Sequence, residues 1–235
     1  MVKKLVLFLW GVILLPLSLA TLYQLPSIFL SLTSKGSAFL PLCFGVVLYI
    51  LFEGLFNRPL RTYVFGHELS HAIAAVFSGG KVHAMKVSSQ GGAVQLSKTN
   101  FFIALAPYCV PIYTFFLLVA YYLLALYFPI QKYYQIFLAA IGFSLAFHCS
   151  LTFYAIGEDQ PDIRKTGFFF SLTLILLVNA WILVLISKII FRDSISIRAF
   201  FSDTMSTHRF LWGWIFQLGS DLWRFLLERK TIPHS

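Results

Sequence analysis

Long apolar runs constrain this chain more than any other feature. Six of them follow one another along 235 residues, at about 5–32, 38–56, 60–80, 101–128, 133–156 and 167–191. A segment in hydrocarbon must satisfy all its backbone hydrogen-bonding groups internally, and about 20 residues of helix cross the apolar core. The runs therefore predict an all-α polytopic membrane protein with about six transmembrane helices.

Composition and charge support the same class. Hydrophobic residues make up 59% of the chain and charged residues only 11%, against about 25% charged residues in a soluble domain. The net charge of +9 comes from basic residues at the ends of apolar runs, such as Lys4, Arg58 and Lys132. This placement is typical of interfacial anchors and argues against nucleic acid as a partner. We expect an integral, multi-pass protein of the cell or plasma membrane, with the bilayer as its surroundings and no indication of an oligomeric state.

The first apolar run has two interpretations. Its front half, which ends in small residues at Ala20, resembles a signal peptide. The apolar stretch continues beyond Ala20 and further runs follow, which favours a retained first span.

Two segments depart from the apolar pattern. In residues 81–96, "KVHAMKV" and "AVQL" flank "SSQGG", which predicts a short β-hairpin. Near the end, "HRFLWGWIFQLGSDLWRFLLERK" carries apolar residues at helical spacing, which predicts an amphipathic helix in the membrane interface. We expect a transmembrane bundle at 1–191 with its core at about 60–167, followed by a linker and the amphipathic helix at 192–235.

The third run contains the polar motif "HELSH". His67 and His71 are four residues apart, so on a helix both imidazoles can hold one metal ion from the same face. Glu68 can then take a proton from a water molecule without being a ligand. This is the HExxH arrangement, in which zinc polarises the water and the glutamate is the general base. Ionisable groups at membrane depth are costly and indicate function, although an interhelical polar network is the alternative.

A catalytic zinc site usually has a third protein ligand. The chain has only nine acidic residues, and elimination leaves Glu158, Asp159 and Asp162 in one loop. His148 is a competing ligand. Glu53, in the second run, is a candidate hydrogen-bond partner for a ligand.

The motif and its surroundings resemble the site-2 proteases, which are intramembrane zinc metallopeptidases that cut membrane-anchored proteins. The resemblance rests on "HELSHAIAAVFSGGKV", the strand pair with its glycine turn and the proline-interrupted run that follows, and it covers about residues 60–167. It implies an aspartate ligand roughly ninety residues beyond the motif, and Asp162 lies 91 residues after His71. The chain has "YAIGEDQPDI" where the family's third motif has the form NxxPxxxLDG, and the family's oxyanion-stabilising asparagine has no identified counterpart.

The predicted hairpin suits a protease, because an extended substrate can pair with an exposed strand edge. On this hypothesis the substrate contacts are Val82, Val87, Gly91, Gly92 and Val94. The alternative is a short connecting hairpin that covers the site.

Pro107 and Pro111 each remove a backbone donor and are expected to kink or interrupt the fourth run. A broken helix can line a cavity that admits water; the alternative is a kink that serves packing only.

These observations predict an intramembrane zinc endopeptidase with one Zn²⁺ per chain. The expected ligands are His67, His71 and Asp162, the expected base is Glu68, and the expected partner is a membrane-anchored protein substrate. The alternatives are a membrane zinc or proton transporter and a non-catalytic relative that binds membrane proteins. A transporter is expected to carry polar residues along several helices, whereas this chain concentrates them at one motif.

Overall fold

The computed structural model describes residues 2–33, 36–56, 58–88, 90–158 and 160–230. Within those residues the chain is mostly helical, as expected, with one small antiparallel sheet. The elements are α1 Val2–Thr33, α2 Gly36–Phe56, α3 Leu60–Phe77, β1 Val82–Ser88, β2 Gly91–Leu96, α4 Phe101–Cys109, α5 Ile112–Tyr127, a 3₁₀ turn Ile130–Tyr133, α6 Tyr134–Gly157, α7 Pro161–Thr166, α8 Phe168–Ile190 and α9 Ile197–Lys230.

The described helices include four that are long and apolar enough to cross a membrane, namely α1, α2, α6 and α8. The pair α4 and α5 adds a fifth span if it is counted as one bent segment. The described helices therefore support four or five spans, and the predicted number of about six is not confirmed. The helix that falls short is α3, because its 18 residues include the polar side chains of the HELSH motif.

The prediction that prolines interrupt the fourth run is confirmed. Helix α4 ends at Cys109 and α5 begins at Ile112, with an angle of 69° between them. Pro111 lies between the two helices and offers no N–H to continue α4. The break turns α5 away from α4.

Helices α2 and α6 cross very closely. A Cβ atom on Gly142 would collide with the backbone oxygen of Leu42, and one on Gly45 would collide with that of Ala139. The two backbones therefore touch directly, as small residues allow in membrane helix packing.

Helix α4 connects the two parts of the candidate site. On one side its Ile103 packs with Ala75 of α3. On the other side its Leu105 packs with Ile163 of α7 and Phe170 of α8. Helix α4 thus packs between α3 and α7 and sets the distance between the HELSH motif and Asp162.

The predicted hairpin is confirmed. Strands β1 and β2 pair antiparallel, with Val87 opposite Gly92 and a bulge after Val82. Both strands pack against α3, which places the hairpin over the HELSH helix.

The C-terminal helix begins earlier than predicted, and this corrects the expected linker. Helix α9 starts at Ile197, so only a short turn separates it from α8. Its first part is held by the bundle, because Phe200 packs edge-on against the Trp181 ring and Thr207 accepts a hydrogen bond from Gln24. Beyond Trp212 its described side chains are exposed.

Candidate metal centre

Three predicted ligands converge on one point. The Oδ2 atom of Asp162 lies 3.2 Å from Nε2 of His71 and 3.7 Å from Nε2 of His67. Within the described part of the chain, these side chains form the group whose donor atoms lie close enough together, within 4.8 Å, to hold one metal ion.

Two of the donor distances are close to those expected around a zinc ion. Bonds of roughly 2.0–2.1 Å at a tetrahedral angle place two ligand atoms about 3.3 Å apart, close to the 3.2 and 3.7 Å found here. Two imidazole nitrogens and a carboxylate oxygen are a common donor set for a catalytic zinc. Acceptor atoms this close together repel one another unless a cation or a proton lies between them.

The other nitrogen of each imidazole has its own partner. Nδ1 of His71 lies 2.8 Å from the carbonyl oxygen of Ile103, so it carries the hydrogen and donates it. Nδ1 of His67 lies 3.1 Å from the hydroxyl of Tyr63, which can accept a hydrogen in the same way. With Nδ1 protonated, each Nε2 presents a lone pair to the shared point.

Asp162 is held in place by the short helix α7. Its neighbour Ile163 is buried in the core, and the hydroxyl of Thr166 donates to the Asp162 carbonyl oxygen at 2.8 Å. Burial raises the pKa of the Asp162 carboxyl, but its interactions with the neighbouring imidazoles of His67 and His71 outweigh burial and hold the pKa below its usual range. The group is therefore an ionised carboxylate, the form that binds metal.

Glu68 lies beside this cluster and is not one of its three donors. The side chain is 7% exposed and faces the backbone of β2, where it interacts with the amide of Val94. A Cβ atom on Gly92 would lie 2.7 Å from Cγ of Glu68 and 2.9 Å from its Oε1. Glycine at this position therefore allows the strand to approach the carboxylate.

Glu68 and the three donors share one cavity of about 430 Å³. Its walls come from α3, β2, the start of α4 and α7. They include His67, Glu68, His71, Gly92, Val94, Leu96, Lys98, Ile103, Asp162 and Lys165.

The outer edge of β2 faces the cavity. The amide of Ser97 donates to the carbonyl of Lys81 on the β1 side, whereas the amide of Val94 faces Glu68. Alternate residues of an antiparallel strand direct their backbone groups to opposite edges. Gly92, Val94 and Leu96 therefore direct theirs away from β1, toward the site.

The structure separates the five predicted substrate contacts. Gly92 and Val94 line the cavity that holds the cluster. Val87 and Gly91 line a different, open groove at the tip of the hairpin, and Val82 pairs with Leu96 at its base.

The other ligand candidates lie elsewhere. Nε2 of His148 is 3.0 Å from Oδ1 of Asn179, and Glu53 accepts hydrogen bonds from Arg58 and Ser150. The structure corrects the suggested role of Glu53, because these partners occupy its carboxylate. Glu158 caps the end of α6 and does not join the described metal cluster. Asp159 lies outside the described residues.

One contributing residue, Tyr63, is not among the residues predicted from the sequence. It precedes His67 by four residues, and this helical spacing is a signal that it shares the same face.

Comparison with protein-family models, curated proteins and solved structures finds no match. The resemblance to the site-2 proteases therefore stays a prediction.

Proposed function

We propose that the protein is a membrane zinc endopeptidase of the site-2-protease type, which hydrolyses peptide bonds of membrane-anchored proteins. One observation carries the proposal: the donors of His67, His71 and Asp162 converge on one point, and Glu68 lies beside them in the same cavity. Three ligands with a neighbouring free carboxylate are the minimal equipment of a zinc hydrolase.

His67, His71 and Asp162 would hold one Zn²⁺ per chain. The ion, when bound, supplies Lewis-acid polarisation of the scissile carbonyl and lowers the pKa of water. The hydrogen bonds at the two Nδ1 atoms keep the imidazoles oriented for this task.

Glu68 acts as the general base and then as the general acid. Its carboxylate accepts a proton as the water oxygen attacks the scissile carbonyl carbon. It then returns this proton to the amide nitrogen as the C–N bond breaks, so the products are an amine and a carboxylic acid, which loses its remaining proton to solvent. Its burial against β2 holds the carboxylate still, which general acid–base catalysis requires.

The edge of β2 would present the substrate. A helix hides its carbonyl groups in internal hydrogen bonds, so a transmembrane substrate must unwind before cleavage. An extended segment can pair with the outward backbone groups of Gly92 and with the outward carbonyl of Val94, which would bring its carbonyl groups to the cavity that Glu68 and the metal donors share.

The finer membrane arrangement also belongs to the proposal. Helix α3 would lie at membrane depth among the apolar spans, with the site reached by water through the cavity. The second half of α9 would lie in the membrane interface, because Trp214 and Trp223 are exposed together with the surrounding apolar residues.

A zinc or proton transporter is the second candidate. A narrow cavity of about 20 Å³ is lined by His67, Ser144 and His148, so polar groups do continue from the cluster toward α6. A protease needs Glu68 to carry a proton during bond cleavage, whereas a transporter cleaves no bond and does not need Glu68 for that step.

The test combines metal content with cleavage. We expect about one zinc per purified chain by mass spectrometry, lost in His71→Ala and Asp162→Ala and kept in Asp159→Ala, the matched change three residues earlier in the sequence. Glu68→Gln should keep the zinc and lose cleavage of reconstituted single-span membrane proteins. Absence of zinc in folded wild-type protein supplied with zinc would overturn the proposal, and so would full cleavage by the Glu68→Gln variant.

A further inference from the structure

The carbonyl group of Ile103 has no ordinary helical partner. In an α-helix the carbonyl of residue i accepts a hydrogen bond from the N–H of residue i+4. Four residues after Ile103 stands Pro107, which has no N–H. Ile103 is 1% exposed, so water cannot easily replace the missing donor, and a buried unpaired carbonyl is costly.

The imidazole of His71 supplies that donor. Its Nδ1 lies 2.8 Å from the Ile103 carbonyl oxygen. The amide of the same residue is also held by a side chain, since Ile103 N donates to Oδ1 of Asn100 at 2.8 Å. Both backbone groups of Ile103 are thus fixed by side chains at the first turn of α4.

The bend between α4 and α5 does not require Pro107. Helix α4 continues past Pro107 to Cys109, and the 69° change of direction comes after that residue, beside Pro111. Pro111 accounts for the break, because it cannot donate to continue α4. Pro107 therefore needs a different explanation, and its clearest local consequence is the freed carbonyl of Ile103.

We infer that Pro107 is a positioning residue for the metal site. Because Pro107 has no N–H, no helical hydrogen bond forms to the carbonyl oxygen of Ile103. That oxygen is free to accept the hydrogen bond from Nδ1–H of His71. That hydrogen bond fixes the tautomer and the ring orientation in which Nε2 faces Asp162. The inference rests on the proposed zinc site and assigns a role to a residue that touches neither metal nor substrate.

The decisive variant is Pro107→Ala, which restores a competing N–H at position 107. Outer partners of metal-binding histidines typically change metal affinity by about 10- to 100-fold, and we expect a loss in this range. Zinc affinity would be measured at fixed pH by competition with a chromophoric chelator. The thermal midpoint of the metal-free protein should stay equal or rise, because alanine suits a helix interior better than proline.

A matched control separates this effect from the general removal of a proline from a helix. Pro26→Ala in α1 changes an exposed proline inside another helix and should leave zinc affinity unchanged. A second variant separates the missing N–H from the proline ring. Incorporation of the α-hydroxy acid analogue of alanine at position 107 removes both the ring and the N–H, and it should bind zinc as the wild type does.

Two results would overturn the inference: wild-type zinc affinity in Pro107→Ala, or weakened affinity in the α-hydroxy variant. Failure of the proposed function is distinguishable from both, because it would appear as the absence of zinc in the wild-type protein or as full cleavage by the Glu68→Gln variant.

Discussion

Gly92 on β2 lies against Glu68 on α3 so closely that a Cβ atom on the glycine would stand 2.9 Å from Oε1 of the carboxylate. The contact joins the two parts of the proposed chemistry, because the same strand that would hold the substrate also confines the general base. The same Cβ atom would stand 2.6 Å from Cγ1 of Val64, so the position tolerates no side chain unless Val64, Glu68 or the strand moves.

The first prediction concerns this contact. Gly92→Ala should displace Glu68 or the edge of β2, and a misplacement of about 1 Å can cost about 100-fold in rate. We expect kcat/KM for a reconstituted substrate to fall by about 10- to 100-fold, with zinc content unchanged because the three ligands lie on α3 and α7. Gly54→Ala is the control, since a Cβ atom there meets nothing within 4 Å. Unchanged kcat/KM in Gly92→Ala would contradict the close approach.

The second prediction concerns where the substrate lies. A photo-cross-linking residue at Val94 should capture a single-span substrate in the Glu68→Gln background, because Val94 lines the cavity that holds the cluster. The same residue at Val82 is the matched control, since Val82 sits on the other strand at the base of the hairpin. Equal capture at both positions would show that binding is not centred on the outer edge of β2.

The sequence predicts the parts of the fold in which apolar and polar residues alternate with a short repeat, or in which apolar residues form a long run. The hairpin at 82–96 and the interrupted helix after Phe101 follow from local residue types, and the structure contains both. Of about six predicted spans, four or five are supported by length and composition, and α3 is not among them because it carries the polar motif. The sequence alone predicts a later start for α9, because residues such as Ser202 and Asp203 are typical of a linker.

The candidate site divides in the same way. His67, Glu68 and His71 were predictable because four-residue spacing alone places the two imidazoles on one helix face. Asp162 required a resemblance, since nothing local relates it to α3. The partner of His71 could not be predicted, because the Ile103 carbonyl becomes a neighbour only when α4 packs against α3. Two of the five predicted substrate contacts line the cavity. Which two do so depends on which edge of the hairpin faces α3, and the sequence alone does not show this.

The third prediction concerns the partner of His67. Tyr63→Phe removes the hydroxyl that lies 3.1 Å from Nδ1 of His67, so zinc affinity should fall by roughly tenfold, at the lower end of what such partners contribute. Tyr113→Phe serves as the control, because its hydroxyl donates to the carbonyl of Thr62 instead. Both variants would be titrated with zinc against the same chelator. Equal affinities would mean that the Tyr63 hydroxyl does not orient His67.

The fourth prediction concerns stability at the crossing of α2 and α6. Gly142→Ala forces a methyl group toward the backbone oxygen of Leu42, and backbone atoms cannot rotate away as a side chain can. Overpacking of a tight interior typically costs about 1–3 kcal/mol, so the variant should unfold at a clearly lower temperature or denaturant concentration in detergent. Gly157→Ala in the same helix meets open space and should stay near the wild type. The folded fraction of Gly142→Ala should still bind zinc, because neither helix supplies a ligand. Equal stability of the two variants would show that α2 and α6 do not cross in backbone contact at this point.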